Sequence, residues 1–256
     1  MNNVKDLNVR DLNAKDLNVK DLVGRYVAVW NEGDADERRK RIRALWATDG
    51  ATCHRLLDAR GYDAIEARVT GAWDKFVREG KYIFRPKHAA CHHDVVKFDW
   101  QMVTVPDGNV EAEGLSFLML DREGRIRSDY QFNPTADEAG ELVDRYVAVF
   151  NESDTEARRR RIAELFAPDG RFVSETIVRN GHRAIEAEAI EAHHAYVAKG
   201  FVFAPANRSH GHHNVTRFKW QTRDPVSGEV AAAGSDLLIL DDSGRIRLDY
   251  QYVEPG

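Results

Sequence analysis

The sequence is short of several things, and each shortage closes a class of explanation. Two cysteines in 256 residues, Cys53 and Cys91, cannot build a disulfide framework; both sit in apolar, strand-like runs and read as reduced, buried thiols. No apolar run approaches the roughly 20 residues that span a bilayer, and the first residues are polar rather than signal-like. A basic surplus is missing too. The chain has 37 Lys and Arg against 42 Asp and Glu, a net charge of -5, which argues against a nucleic-acid partner. The expected setting is soluble, reducing and cytoplasmic, away from membranes. What is present is ordinary globular composition, 43% hydrophobic and 31% charged. The length suits two domains of about 110 to 130 residues, each able to bury its own core.

Residues 1–20 form a low-complexity leader: Val4-Lys5-Asp6-Leu7-Asn8 is followed by Val9-Arg10-Asp11-Leu12-Asn13, Ala14-Lys15-Asp16-Leu17-Asn18 and Val19-Lys20-Asp21-Leu22. Leucines five apart step by about 140° around a helix, so they make no single stripe. The copies are too few to stack as a solenoid, and a frayed helix running into the first domain is expected. From Leu22 onward a shift of 120 residues superimposes the two halves without a gap: Arg25-Tyr26-Val27-Ala28-Val29-Trp30-Asn31-Glu32 becomes Arg145-Tyr146-Val147-Ala148-Val149-Phe150-Asn151-Glu152. Roughly four positions in ten are identical, the mark of a tandem duplication with domains at 21–134 and 135–256.

Each copy reads helix, helix, strand, helix and then several strands. In the first, a helix over Leu22 to Trp30 stops at Asn31-Glu32-Gly33, and Asp34 caps a second helix closed by Asp49-Gly50. A strand over Ala51 to Leu57 precedes a third helix striped by Ile65, Val69, Trp73, Phe76 and Val77. Strands follow at Lys81 to Arg85, Cys91 to Thr104, Asn109 to Leu120 and Arg125 to Phe132, with turns at Pro106-Asp107-Gly108 and Arg122-Glu123-Gly124. Asn133-Pro134 makes a short linker, and Thr135-Ala136-Asp137-Glu138 is a capping box opening the second copy. Helices followed by hairpin-linked strands predict an α+β domain, a curved and mainly antiparallel sheet around about three helices.

Three pieces carry a resemblance: Gly61-Tyr62-Asp63-Ala64-Ile65-Glu66-Ala67 with its copy Gly181-His182-Arg183-Ala184-Ile185-Glu186-Ala187; the His-His strand opening at His92 and His212; and the closing Asp-x-x-Gly-Arg-Ile-Arg strand. On these the chain resembles the nuclear transport factor two-like superfamily, and within it the SnoaL-like, polyketide cyclase-like domains. The resemblance implies a cone-shaped domain with an internal pocket for a small molecule, usually dimerised through the outer sheet face. Two copies in one chain would then form an intramolecular pseudo-dimer, a self-contained monomer compatible with higher assembly. It implies cofactor-free acid/base isomerisation, dehydration or cyclisation of a polycyclic or aromatic compound. The alternative is a non-catalytic ligand-binding protein in which one domain is a structural partner.

The candidate site residues start from the paired histidines, imidazoles beside an apolar wall. Strand alternation puts His92, Asp94, Val96, Phe98, Trp100 and Met102 on one face, favouring His92 and His212, whereas likeness to scytalone dehydratase favours His93 and His213. In SnoaL-like cyclases an acid/base pair sits near the start of the penultimate strand and on the last strand. Those positions correspond to Asp236 and Gln251 in the second copy and to Ser116 and Gln131 in the first, so the last-strand carboxylate is missing. Asp236 enters an apolar strand, which suits a general base. The second copy carries more ionisable groups at pocket-like places, with Glu175 for Arg55, His193-His194 for Trp73-Asp74 and Asp236 for Ser116. It is the half expected to work. Tyr26 and Tyr146 are candidate donors to a substrate oxygen, by likeness to ketosteroid isomerase and scytalone dehydratase. Trp73, Trp100, Trp220 and Tyr250 complete the candidate substrate-binding set. Asp129 and Asp249 read as sheet-surface partners of Arg127 and Arg247. His210, His212 and His193 or His194 lack a recognised ligand spacing, so no metal site is expected. The basic runs Arg38 to Arg41 and Arg158 to Arg161 lie beside Asp and Glu and read as solvated helix faces.

Overall fold

The computed structural model describes residues 18–132, 140–206 and 209–254. The leader up to residue 17, the Asn133-Pro134 linker and the capping box at Thr135 to Glu138 lie outside the described residues. The chain divides into two units, Met1–Pro134 and Thr135–Gly256.

In the first unit, helix α1 (Val19–Asn31) buries Leu22, Val23, Tyr26, Val27 and Trp30, the residues its apolar spacing places on one face. The Asn18 side chain caps it, accepting the Asp21 amide at 3.0 Å. Asp34 does the same for α2 (Ala35–Leu45), accepting the Glu37 amide at 2.8 Å. Helix α3 (Gly61–Ala72) continues through a π-helical turn at Trp73–Val77. The strands β1 (Trp46–His54), β2 (Leu57–Arg60), β3 (Tyr82–His92), β4 (Val95–Thr104), β5 (Val110–Leu120) and β6 (Ile126–Phe132) form one sheet in the order β2-β1-β6-β5-β4-β3. Pairing is antiparallel except between β1 and β6. The second unit repeats the plan with β7 (Phe166–Val173), β8 (Val178–Asn180), β9 (Val202–Pro205), β10 (His210–His212), β11 (Val215–Arg223), β12 (Val230–Leu240) and β13 (Ile246–Glu254). Its helices are α4 (Gly140–Asn151), α5 (Thr155–Leu165) and α6 (His182–Ala195). The sheet runs β10-β11-β12-β13-β7-β8, and β9 also pairs with β11. Each unit has its own core between helices and sheet: Val29, Ile65, Phe98 and Leu118 are fully buried in one, Val149, Ile185, Phe218 and Leu238 in the other.

Three details depart from the sequence-based expectation. Strand β1 begins at Trp46, so Asp49-Gly50 lies inside it rather than ending α2. A Cβ on Gly50 would sit 2.9 Å from the carbonyl oxygens of both Ala47 and Ile126, so this glycine marks a close approach of backbones. The duplication also hides two compensating one-residue differences. Asn31 brackets the backbone of Phe84 with hydrogen bonds of 2.8 and 2.9 Å, while its counterpart Asn151 brackets Phe203, not residue 204. Pro86 faces Trp100 as Pro205 faces Trp220, and by the next turn the 120-residue shift is restored, with His92 opposite Val95 and His212 opposite Val215. Finally, the basic runs are not wholly solvated. Arg39 pairs with Asp36 and Glu66, but Arg38 is only 4% exposed and donates to the Glu32 carbonyl at 2.6 Å. Arg158 repeats that contact with the Glu152 carbonyl.

Candidate functional site

Sheet register decides which side chains share the helix-facing side. In the first unit Phe98 lies opposite Ser116, Trp100 opposite Gly114, Leu118 opposite Asp129 and Ser116 opposite Gln131. Phe98 and Leu118 pack against α1, so Trp100, Ser116, Asp129 and Gln131 face the same interior. There the Tyr26 hydroxyl donates to Asp129 Oδ2 at 2.8 Å, and Gln131 Nε2 donates to the Tyr26 oxygen and to Asp129 Oδ2, each at 2.9 Å. Arg68 reaches in from α3, its Nη2 3.5 Å from Gln131 Oε1 and its guanidinium 5.1 Å over the Trp30 ring. Asp129 is 0% exposed. Burial pushes its carboxyl up to about 7, although hydrogen bonds from Tyr26 and Gln131 and the Arg68 charge pull the other way. Burial, and then the charge of Asp129, push the Tyr26 phenol up as well.

Above this cluster lies a cavity of about 140 Å³, bounded by Tyr26, Trp30, His54, Arg68, Phe84, Trp100 and Gln131. Its Trp100 wall depends on a missing side chain: a Cβ on Gly114 would lie 2.1 Å from the indole. Glycine there lets the ring lie flat across the neighbouring strand, and Gly234 does the same for Trp220, where the distance would be 2.5 Å.

The second unit keeps the tyrosine and changes its neighbours. Tyr146 donates to Asp249 Oδ2 at 2.6 Å, and Trp220 Nε1 donates to Asp236 Oδ1 at 3.0 Å. Asp236 faces Gln251 and Asp249 faces Leu238, so the two aspartates are diagonal neighbours on one face of adjacent strands. Both are fully buried. Burial, then the charge of Asp236, raise the Asp249 carboxyl well above the usual range. Two carboxyl groups so placed are expected to share a proton at neutral pH. Tyr146 is raised for the same reasons, burial first and the two aspartates next. Glu188 stands where the first unit has Arg68, and pairs outward with Arg179 at 3.0 Å. Phe203 and Trp220 are buried, whereas Phe84 and Trp100 are part-exposed.

Tyr26, Trp100, Tyr146, Trp220 and Asp236 are thus drawn into the two interiors. The paired histidines are not. His92 ends β3, His93 and Asp94 make a two-residue turn with His93 at φ +51°, and β4 starts only at Val95. The turn breaks the alternation assumed along His92 to Gln101. In the second unit His212 ends β10 and His213 has φ +52°. Val215 is opposite Ile239 and Phe218 opposite Asp236, which puts that hairpin end about 10 Å along the strand from the carboxylate. His212 and His213 instead line a groove with Glu141 and Arg145. Glu175 is exposed between β7 and β8, and His194 is exposed on α6. His193 is held below its ordinary value by burial and then by the charge of Arg158. Trp73 meets the guanidinium groups of Arg38 and Arg78, 5.3 and 5.4 Å from its ring centre. Tyr250 follows Asp249 directly and points to the opposite sheet face. Among the described residues no three His, Cys, Asp or Glu side chains gather as a metal site, and no helix is long and apolar enough to cross a membrane.

Asp129 and Asp249 are the residues that sequence reasoning missed. They are not surface partners of Arg127 and Arg247: both are buried, and Arg247 pairs with Asp169 at 2.7 Å. The last strand therefore does carry an inward carboxylate, two residues before the glutamine. Strand periodicity from Gln131 and Gln251 was the signal that could have found it.

The sequence matches no family model and no curated protein. Among solved structures, it is similar to a SnoaL-like family protein from Agrobacterium tumefaciens C58, named as a candidate isomerase. Identity is 30% over 45% of this chain and 96% of that one, with a TM-score of 0.42. The chain belongs to the SnoaL-like family. A candidate polyketide cyclase from Sinorhizobium meliloti is 21% identical over 44% of this chain and 94% of its own, TM-score 0.35. A nuclear transport factor two-like protein of unknown function from Exiguobacterium sp. 255-15 is 15% identical over 45% and 99%, TM-score 0.37. Each match spans about the length of one of the chain's two units.

Proposed function

We propose that the first unit is the working site of a cofactor-free proton-transfer enzyme of the isomerase, dehydratase or cyclase type, acting on a small carbonyl compound. The observation that carries this reading is the Tyr26–Asp129–Gln131 chain at the wall of a cavity of about 140 Å³. A void near 150 Å³ accommodates a benzene-sized molecule, and pockets for larger ligands begin at about 300 Å³. A cavity of that volume supports a substrate of one ring. With Asp129 ionised, Tyr26 donates to it. Once Asp129 is protonated the carboxyl can donate instead, and the Tyr26 O–H turns to a ligand carbonyl oxygen in the cavity. A carboxyl at about 7 visits both states near neutral pH, which suits general acid/base work. His54, also in the wall, is assigned in this reading the transfer of a proton from the ligand carbon to the position one along.

The test is conversion of cyclohex-3-enone to its conjugated isomer, followed by ultraviolet absorbance, with wild type, Tyr26→Phe and Asp129→Asn. Catalysis above buffer by wild type, lost about 10²-fold or more in either variant, is expected. Saturable ring-ketone binding with turnover no faster than buffer would leave the non-catalytic alternative, a ligand-binding first unit with the second as structural partner. The burial of Phe203 and Trp220 favours that division of labour, because it leaves those two rings little accessible surface.

A further inference from the structure

We infer that Arg68 makes the first-unit cavity selective for a single-ring ligand carrying a carboxylate, or another anionic oxygen of the same shape; this rests on reading the cavity as a ligand site. The guanidinium comes from α3, lines the cavity and lies over Trp30. Among the described residues its one hydrogen bond is the long 3.5 Å approach to Gln131, and its buried Nε has no hydrogen-bond partner. Arg68 belongs to no ion pair among the described residues, unlike Arg39, Arg41 and Arg125, which each have a carboxylate within 4.0 Å. Asp129 is near enough for the two charges to act on each other, but no oxygen of it lies within 4.0 Å of the guanidinium. A guanidinium keeps its charge under almost all conditions, and a part-buried one with no carboxylate in direct contact has donors left for an anion to meet. Its planar fork matches two carboxylate oxygens while Trp30, Phe84 and Trp100 take the ring.

The second unit supplies an internal control. The position equivalent to Arg68 is Glu188, turned to Arg179, and the interior beyond it holds Asp236 and Asp249. That interior should repel an anion of any size.

Benzoate and its neutral near-isostere benzamide are the probes, titrated at fixed ionic strength and followed by amide chemical shifts and calorimetry on the full chain. Wild type should bind benzoate at least tenfold more tightly than benzamide, with shifts confined to the first unit. Arg68→Met should lose benzoate at least tenfold while keeping benzamide, and Arg68→Lys should fall between them. Equal affinity of wild type for the two probes, or unchanged benzoate binding in Arg68→Met, would overturn the inference and leave the ligand cavity standing. Absence of binding by both probes would remove the cavity reading as well. Should Arg68→Met fail to fold, the wild-type ratio and Arg68→Lys still decide.

Discussion

The two units keep one hydrogen bond and differ in nearly everything electrical around it. Tyr26 meets Asp129 at 2.8 Å, and Tyr146 meets Asp249 at 2.6 Å, each from the first helix of its unit to the last strand. Around the first pair stand an amide, Gln131, and a cation, Arg68; around the second stand a further carboxylate, Asp236, and an indole donor, Trp220. A duplicated scaffold can thus hold its buried Tyr–Asp pair while the neighbours decide whether the interior favours an anion or must retain protons. The part-exposed rings and cavity belong to the first set, and the buried Phe203 and Trp220 to the second.

The strongest way to break the comparison is to attack what the units share. Gly114→Ala and Gly234→Ala each drive a Cβ into an indole and also within 2.9 or 2.7 Å of a carbonyl oxygen. Each should destabilise its own unit by about 3 kcal/mol, read from denaturant midpoints of the two units followed separately by NMR. A loss below about 1 kcal/mol at either site would mean the indole moves aside freely, and the Trp–Gly pairing would lose its structural meaning.

A smaller effect separates the units by pH. Asp129, raised by burial to about 7, and Asp249, raised by burial and Asp236, both hold protons in the folded state that an unfolded aspartate releases near 3.9. Their stabilising contribution is complete below about pH 4 and is lost as pH rises through the folded value, at up to about 1.4 kcal/mol per pH unit for each retained proton. Asp236→Asn removes the second charge while leaving an amide oxygen to accept from Trp220. It should flatten the decline of the second unit between pH 5 and 8 and raise its stability at pH 8 by about 1 to 2 kcal/mol. The first unit should keep its slope until Asp129→Asn is introduced. Identical pH profiles for wild type and Asp236→Asn would sink the shared-proton description. The smallest expected effect is at the surface: Glu66→Gln and Glu186→Gln break exposed pairs with Arg39 and Arg159 and should each shift stability by no more than about 0.5 kcal/mol. A larger shift at either site would mark those pairs as more than solvated contacts.

Much of the fold was legible in the chain. Local signals carried it: the cap at Asp34, the apolar face of α1, turns at Gly108 and Gly124 with φ of +72° and +75°, and a repeat that doubles every clue. These depend on neighbours a few residues apart, which sequence spacing reports directly. The polar interior was less legible. Asp236, Tyr26 and Tyr146 could be picked out because an apolar strand or helix face surrounds them. Asp129 and Asp249 were misread because each lies two residues from an arginine, and adjacency in sequence resembles a surface pair until register shows which face each uses. The histidines erred the opposite way, since a two-residue turn at His93 looks like continuous strand when Val, Phe and Trp follow.

By itself, then, the sequence determined two copies of an α+β domain, their helices, most of their turns and the tyrosine each core would hold, because helix and strand periodicity and glycine placement act locally. Only the tertiary structure decided that Asp129 and Asp249 face inward, that Gln131 meets Tyr26 across 105 residues of chain and Arg68 across 63, and that the histidine pairs lie at hairpin ends. Strand register and helix docking make those choices. A shift of one residue turns every side chain to the other face, and no local signal records which way it went.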